Sequence, residues 1–73
     1  MNYDEFFKDI ISWIYDCNTQ AQKLGFFNQE FWDWAVQSLT EICVKYNQDK
    51  LAQAQTAMLL DWLEQTRQEA VNK

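Results

Sequence analysis

The sequence predicts an all-α fold, a three-helix antiparallel bundle running up-down-up. Three observations predict it. Proline is absent and glycine occurs once in 73 residues, so a strand-and-turn architecture has almost nothing from which to build its corners. Hydrophobic side chains make up 48% of the chain and recur at alternating spacings of three and four, the period of a helix face. Only two short stretches, at Gly25 and at Asn47-Gln48-Asp49, interrupt that period.

The first helix is expected over residues 3–24. Asn2 supplies an N-cap oxygen, and Asp4 and Glu5 place negative charge near the positive end of the helix. Its apolar stripe reads Tyr3, Phe7, Ile10, Ile14, Cys17, Ala21 and Leu24, and Gly25 follows where a residue without a Cβ ends a helix with least strain. The second helix, residues 29–46, opens on Asn28, with Phe27 positioned to pack on Trp32 as a hydrophobic staple. It presents Phe31, Trp32, Ala35, Leu39, Ile42, Cys43 and Tyr46. In the next turn Asn47 tolerates a left-handed conformation and Asp49 caps a third helix, residues 50–71. That helix is expected to bury Leu51, Ala52, part of Gln55, Leu59, Trp62, Leu63 and Ala70. Short connections make sequential helices antiparallel, and no repeat or composition shift divides the chain, so residues 1–73 read as one helical domain. An alternative straightens the Asn47 turn and swaps the third helix into a second copy. At this length a single core supplies only about 3–5 kcal/mol, which calls for good packing or a partner.

Eleven acidic and six basic side chains give a net charge of −5. The basic residues Lys8, Lys23, Lys45, Lys50, Arg67 and Lys73 are scattered singly, so a nucleic-acid backbone finds no patch to bind. The acids, diluted by those bases, fall short of the dense array with which a protein imitates nucleic acid. Acidic polar faces also argue against binding to a membrane surface, and no apolar run approaches the ~20 residues of a spanning helix. The stretch from Met1 to Ile11 has neither a basic leader nor a small-residue cleavage pattern, so no secretory signal is expected and the chain reads as cytoplasmic. Cys17 and Cys43 form no CxxC pair, and without histidine a zinc site lacks its usual ligands. Both are expected as buried free thiols, about 12 Å apart along the bundle axis and too distant for a disulfide.

The absence of histidine also leaves every serine and cysteine without an imidazole activator, so no catalytic residue and no cofactor is assigned. One constellation could carry chemistry. Glu30 and Asp33 on the second helix, and Asp61 and Glu64 on the third, are acid pairs one turn apart at a similar height in the bundle. Over these eight positions the pairs resemble the metal sites of the all-α nucleotide pyrophosphohydrolases, with one pair in the opposite order. The resemblance implies metal-dependent hydrolysis of nucleotide phosphates with those four residues as ligands. Residue angles point elsewhere: Glu30 and Asp33 lie roughly 160° and 140° from the middle of the second stripe, and Asp61 roughly 160° from that of the third. Both pairs are expected to face water.

The stronger signal is the apolar surplus that the stripes leave over. Trp34 and Tyr15 lie roughly 120° from their stripe centres, Val44 roughly 160°, and Met58 and Leu60 about 100° on either side of theirs. Phe26-Phe27-Asn28-Gln29-Glu30-Phe31-Trp32-Asp33-Trp34 packs five aromatics into nine residues, of which Phe26 is expected outermost. One reading is a wide core that takes Ile11, Trp13 and Leu60 from the flanks and leaves single exposed aromatics without a role; the other is a contact patch. On the second reading the contact patch for another chain is Trp34, Tyr15 and Phe26, with Val44 and Leu60. The expected function is a small, non-enzymatic protein–protein interaction protein, accessory or regulatory, that self-associates as a homodimer. Two alternatives are the metal-dependent nucleotide phosphohydrolase and an acidic inhibitor of a basic partner, steered by Asp4, Glu5, Asp9 and Asp16.

Overall fold

Three side-chain oxygens start three helices. Asn2 Oδ1 accepts from the Glu5 N–H at 3.1 Å, Asn28 Oδ1 from Glu30 at 3.0 Å and Asp49 Oδ1 from Leu51 at 2.8 Å. Each bond satisfies a donor that a helix start leaves free. In the computed structural model, which describes residues 1–71, the elements that follow are α1 (Tyr3–Leu24), α2 (Gln29–Lys45) and α3 (Lys50–Val71). They form an all-α three-helix bundle; residues 72 and 73 lie outside the described part.

The turns use the residues singled out for them. Gly25 sits at φ 93° and ψ 125°, its N–H bonded to the Ala21 carbonyl at 3.0 Å and its own carbonyl accepting from Asn28 at 3.0 Å. That conformation favours a residue without a Cβ. At the end of α2 the Gln48 N–H reaches the Cys43 carbonyl at 2.8 Å and the Asn47 N–H reaches Val44 at 3.1 Å, which is the Schellman pattern with Asn47 left-handed at φ 57°. Gln48 is left-handed as well, at φ 54°. Tyr46, expected as the last helical residue, is instead the C-cap.

Packing is centred on α2, which lies extensively against both neighbours, whereas α1 and α3 touch only lightly. The core takes Phe6, Ile10, Trp13 and Cys17 from α1, Phe31, Ala35 and Leu39 from α2, and Ala52, Leu59 and Leu63 from α3. This corrects the expected stripe on α1. Ile10 and Cys17 are shared, but the helix is turned by roughly 40°, which buries Phe6 and Trp13 and leaves Tyr3 and Phe7 outside. Two aromatic contacts with α2 accompany the turn: Trp13 stacks on Trp34 with centroids 5.6 Å apart, and Phe6 meets Tyr46 edge-on at 5.2 Å. On α3, Trp62 and Ala70 are exposed, contrary to expectation, while Thr56 is buried. Its hydroxyl is satisfied within the bundle, donating to the Ala52 carbonyl at 3.0 Å and lying 3.1 Å from Cys43 Sγ. No helix among the described residues is long and apolar enough to cross a membrane.

Gly25→Ala tests the first turn. An added Cβ would approach only the Asn28 Cβ, at 3.8 Å, so the penalty is backbone strain. Urea denaturation is expected to show a loss of about 1–3 kcal/mol with helical content retained in the folded state.

Candidate functional site

The aromatic-rich junction between α1 and α2 proves to be an internal buttress. Phe26 stacks on Phe31 at 5.4 Å and meets Trp32 edge-on at 6.5 Å, so it holds the staple position expected of Phe27. Phe27 is the exposed member, with the Arg67 guanidinium 6.0 Å from its ring. The same guanidinium lies 5.3 Å from the Trp32 ring, a cation–π contact joining α3 to the junction. Trp32 Nε1 is buried with no hydrogen-bond partner among the described residues. Trp34 covers Trp13, whose indole N–H donates to Ser38 Oγ at 2.7 Å, and Ser38 donates in turn to the Ala35 carbonyl at 3.1 Å. Trp34 and Phe26 are thus half-buried against the core, because Trp34 covers Trp13 of α1 and Phe26 covers Phe31 at the start of α2.

Leu60 is also half-buried against the core, whereas Tyr15 and Val44 stand out at 69% and 59% exposure. Val44 and Leu60 share a shallow α2–α3 groove with Val36 and Thr40. Tyr15 lies on α1, outside that groove, so the five residues are not gathered in one patch.

A different apolar surface is gathered. Tyr3, Phe7, Ile11 and Tyr15 follow one another at spacings of four along α1 and are all exposed. Beside them, where α1 and α3 barely touch, Ile14, Met58, Leu59 and Trp62, together with Asp61 and Gln65, line an open trough of about 470 Å³. The sequence did contain this signal, since Tyr3, Phe7, Ile11, Ile14 and Tyr15 all fall within about 120° of the α1 circumference. Tyr3, Phe7 and Trp62 also fit a core stripe by spacing, and that fit masks the signal.

The acidic residues divide into engaged and free. Lys45 Nζ lies 2.7 Å from Asp9 Oδ2 and 3.4 Å from Glu5 Oε1, and the Tyr46 hydroxyl donates to the same Asp9 oxygen at 2.5 Å. This clasp ties the start of α1 to the end of α2. Hydrogen bonds from Lys45 first and Tyr46 second hold the Asp9 carboxyl below its ordinary value of 3.8. The cleft above the clasp carries Asp9, Asp16 and Glu41 beside the Trp13–Trp34 pair. Glu30, Asp33, Asp61 and Glu64 are all exposed; Asp33 accepts from Gln29 at 3.0 Å and Asp61 from Gln65 at 2.9 Å, each on its own helix. No group of three or more metal-ligating side chains is assembled among the described residues. Cys17 and Cys43 are free thiols, and burial pushes the Cys17 thiol up to about 11, which keeps it protonated and unreactive.

No protein-family model, no curated protein and no solved structure matches the chain.

Two outcomes follow from the buttress and the clasp. Removing Trp34 uncovers Trp13, so Trp34→Ala is expected to cost about 2 kcal/mol in a denaturant melt, below the ~3–5 kcal/mol of a fully buried tryptophan. Because folding lowers the Asp9 pKa, its stabilisation is present above the ordinary carboxylate value and lost as pH falls through the folded one. Asp9→Asn should cost about 1 kcal/mol at neutral pH, discounted for partial exposure, and the gap from the parent chain should close in acid.

Proposed function

We propose that this protein is a small, non-enzymatic interaction module, accessory or regulatory, that acts by contact with another protein chain through the apolar α1–α3 face. The observation that carries the reading is that exposed large side chains on two helices lie around one trough. Single exposed hydrophobic residues need no explanation, but a contiguous apolar surface bordered by polar groups marks a contact site. Aromatic residues and methionine dominate this face, the side chains enriched at interface cores. The free thiols support a reducing, cytoplasmic setting.

Partner steering by acids is a secondary feature of this reading. Glu5 and Asp9 are occupied by Lys45, so attraction of a basic partner would fall to Asp4 and Asp16 among the four acids first considered.

Site-specific photo-crosslinking in cells tests the proposal. A photoreactive side chain at Ile11 or Met58 is expected to give protein adducts, and one at Asp33 or Gln37 is expected to give none. Equal labelling at all four positions, or labelling confined to the last two, would contradict it.

A further inference from the structure

We infer that the occupant of the α1–α3 face is a second copy of this chain, paired by a two-fold axis parallel to the helices so that each copy's α1 ridge lies in the other's trough. The inference rests on the reading of this face as a contact surface.

Shape argues for it first. One chain carries a convex apolar ridge, Tyr3, Phe7, Ile11 and Tyr15, directly beside a concave apolar trough lined by Ile14, Met58, Leu59 and Trp62. Complementary features side by side are what a self-complementary interface requires, because in a two-fold pair residue i meets residue j and j meets i. The direction of the axis follows from topology. In an up-down-up bundle α1 and α3 run the same way, and rotation about an axis parallel to both carries each ridge across onto the other's trough. Rotation about an axis perpendicular to the helices lays α1 on α1, ridge against ridge.

Register is fixed by the trough itself. Ile14 shares it with Met58 and Trp62, and at 1.5 Å per residue Ile11 and Tyr15 lie within about 5 Å of that level. The ridge residues that enter the partner's trough are therefore Ile11, opposite Met58, and Tyr15, opposite Trp62. Ile11, Met58, Tyr15 and Trp62 are 56%, 54%, 69% and 44% exposed in the single chain, and the pairing covers all of them.

Area and charge agree. With ~150–250 Å² for each large ring and similar values for Ile11 and Met58, the exposed parts of the ridge and trough offer about 600 Å² per copy. Over two copies that is about 1,200 Å², the low end of the range for specific interfaces, which fits pairing at micromolar to millimolar concentration. Among the described residues Asp61 is the one charged side chain lining the trough, and its carboxylate accepts from Gln65. Most of the net charge of −5 is thus carried outside the trough. A strongly basic partner would find little in the trough to hold it.

Sedimentation equilibrium from micromolar to millimolar concentration is expected to show a shift from one copy to two. Ile11→Lys and Trp62→Lys should keep their helical signal and weaken the pairing about tenfold or more. Phe7→Cys and Asn18→Cys, about 16 Å apart along α1, should both oxidise to covalent dimers, since a parallel axis brings each position to its own copy. An antiparallel pair could link at most one. A monomer throughout the range, a dimer indifferent to both lysine substitutions, or only one cysteine linking would overturn the inference. Monomeric behaviour together with adducts to other proteins at Ile11 and Met58 would leave the contact surface standing and remove only the second copy.

Discussion

The structure depends on the position of α2 between the other two helices. Phe31, Ala35 and Leu39 are buried along it, and α1 and α3 are held chiefly by packing on α2 rather than on each other. Two rings of α1, Phe6 and Trp13, set the angle at which that helix lies, because they meet Tyr46 and Trp34 of α2. The clasp of Lys45 and Tyr46 on Asp9 fixes the far end of the same pair. On the other side, Arg67 over Trp32 and Thr56 against Cys43 tie α3 to α2. Cohesion concentrated on one helix leaves the seam between its neighbours open.

That open seam turns a question of stability into one of function. In a chain of this size the core is small, and several large side chains necessarily remain in water. Their arrangement carries the information. Around the α1–α2 junction, aromatic rings cover one another and finish the core. Along α1 and the facing side of α3, Tyr3, Tyr15 and Trp62 stay exposed and Phe7 only meets Phe6 edge-on, although Trp62 and Met58 are as apolar as many residues that are buried.

Much of the fold was legible in the sequence because caps and turns are local. Asn2, Asn28, Asp49, Gly25 and Asn47 each act within a few residues, and each occupies the position its chemistry suggests. The rotation of each helix is not local. Tyr3-Phe7-Ile10-Ile14-Cys17 and Phe6-Ile10-Trp13-Cys17 are both continuous helical stripes, and choosing between them requires knowing that Trp34 waits across the interface. The same dependence exchanged the expected places of Phe26 and Phe27. It also made Trp34, distant from its own stripe by angle, a cover for Trp13. The surplus of apolar residues was therefore legible as an amount, while its location required the tertiary structure.

We propose that the aromatic surplus divides into a structural junction and a contact face, with Trp13, Trp32 and Trp34 in the first and Trp62 in the second. The most direct measurement is the set of four tryptophan indole N–H resonances followed across a dilution series. The Trp62 resonance is expected to move with concentration while those of Trp13 and Trp32 stay fixed. A stationary Trp62 beside a moving Trp34 or Trp13 would place the contact at the α1–α2 junction and contradict it.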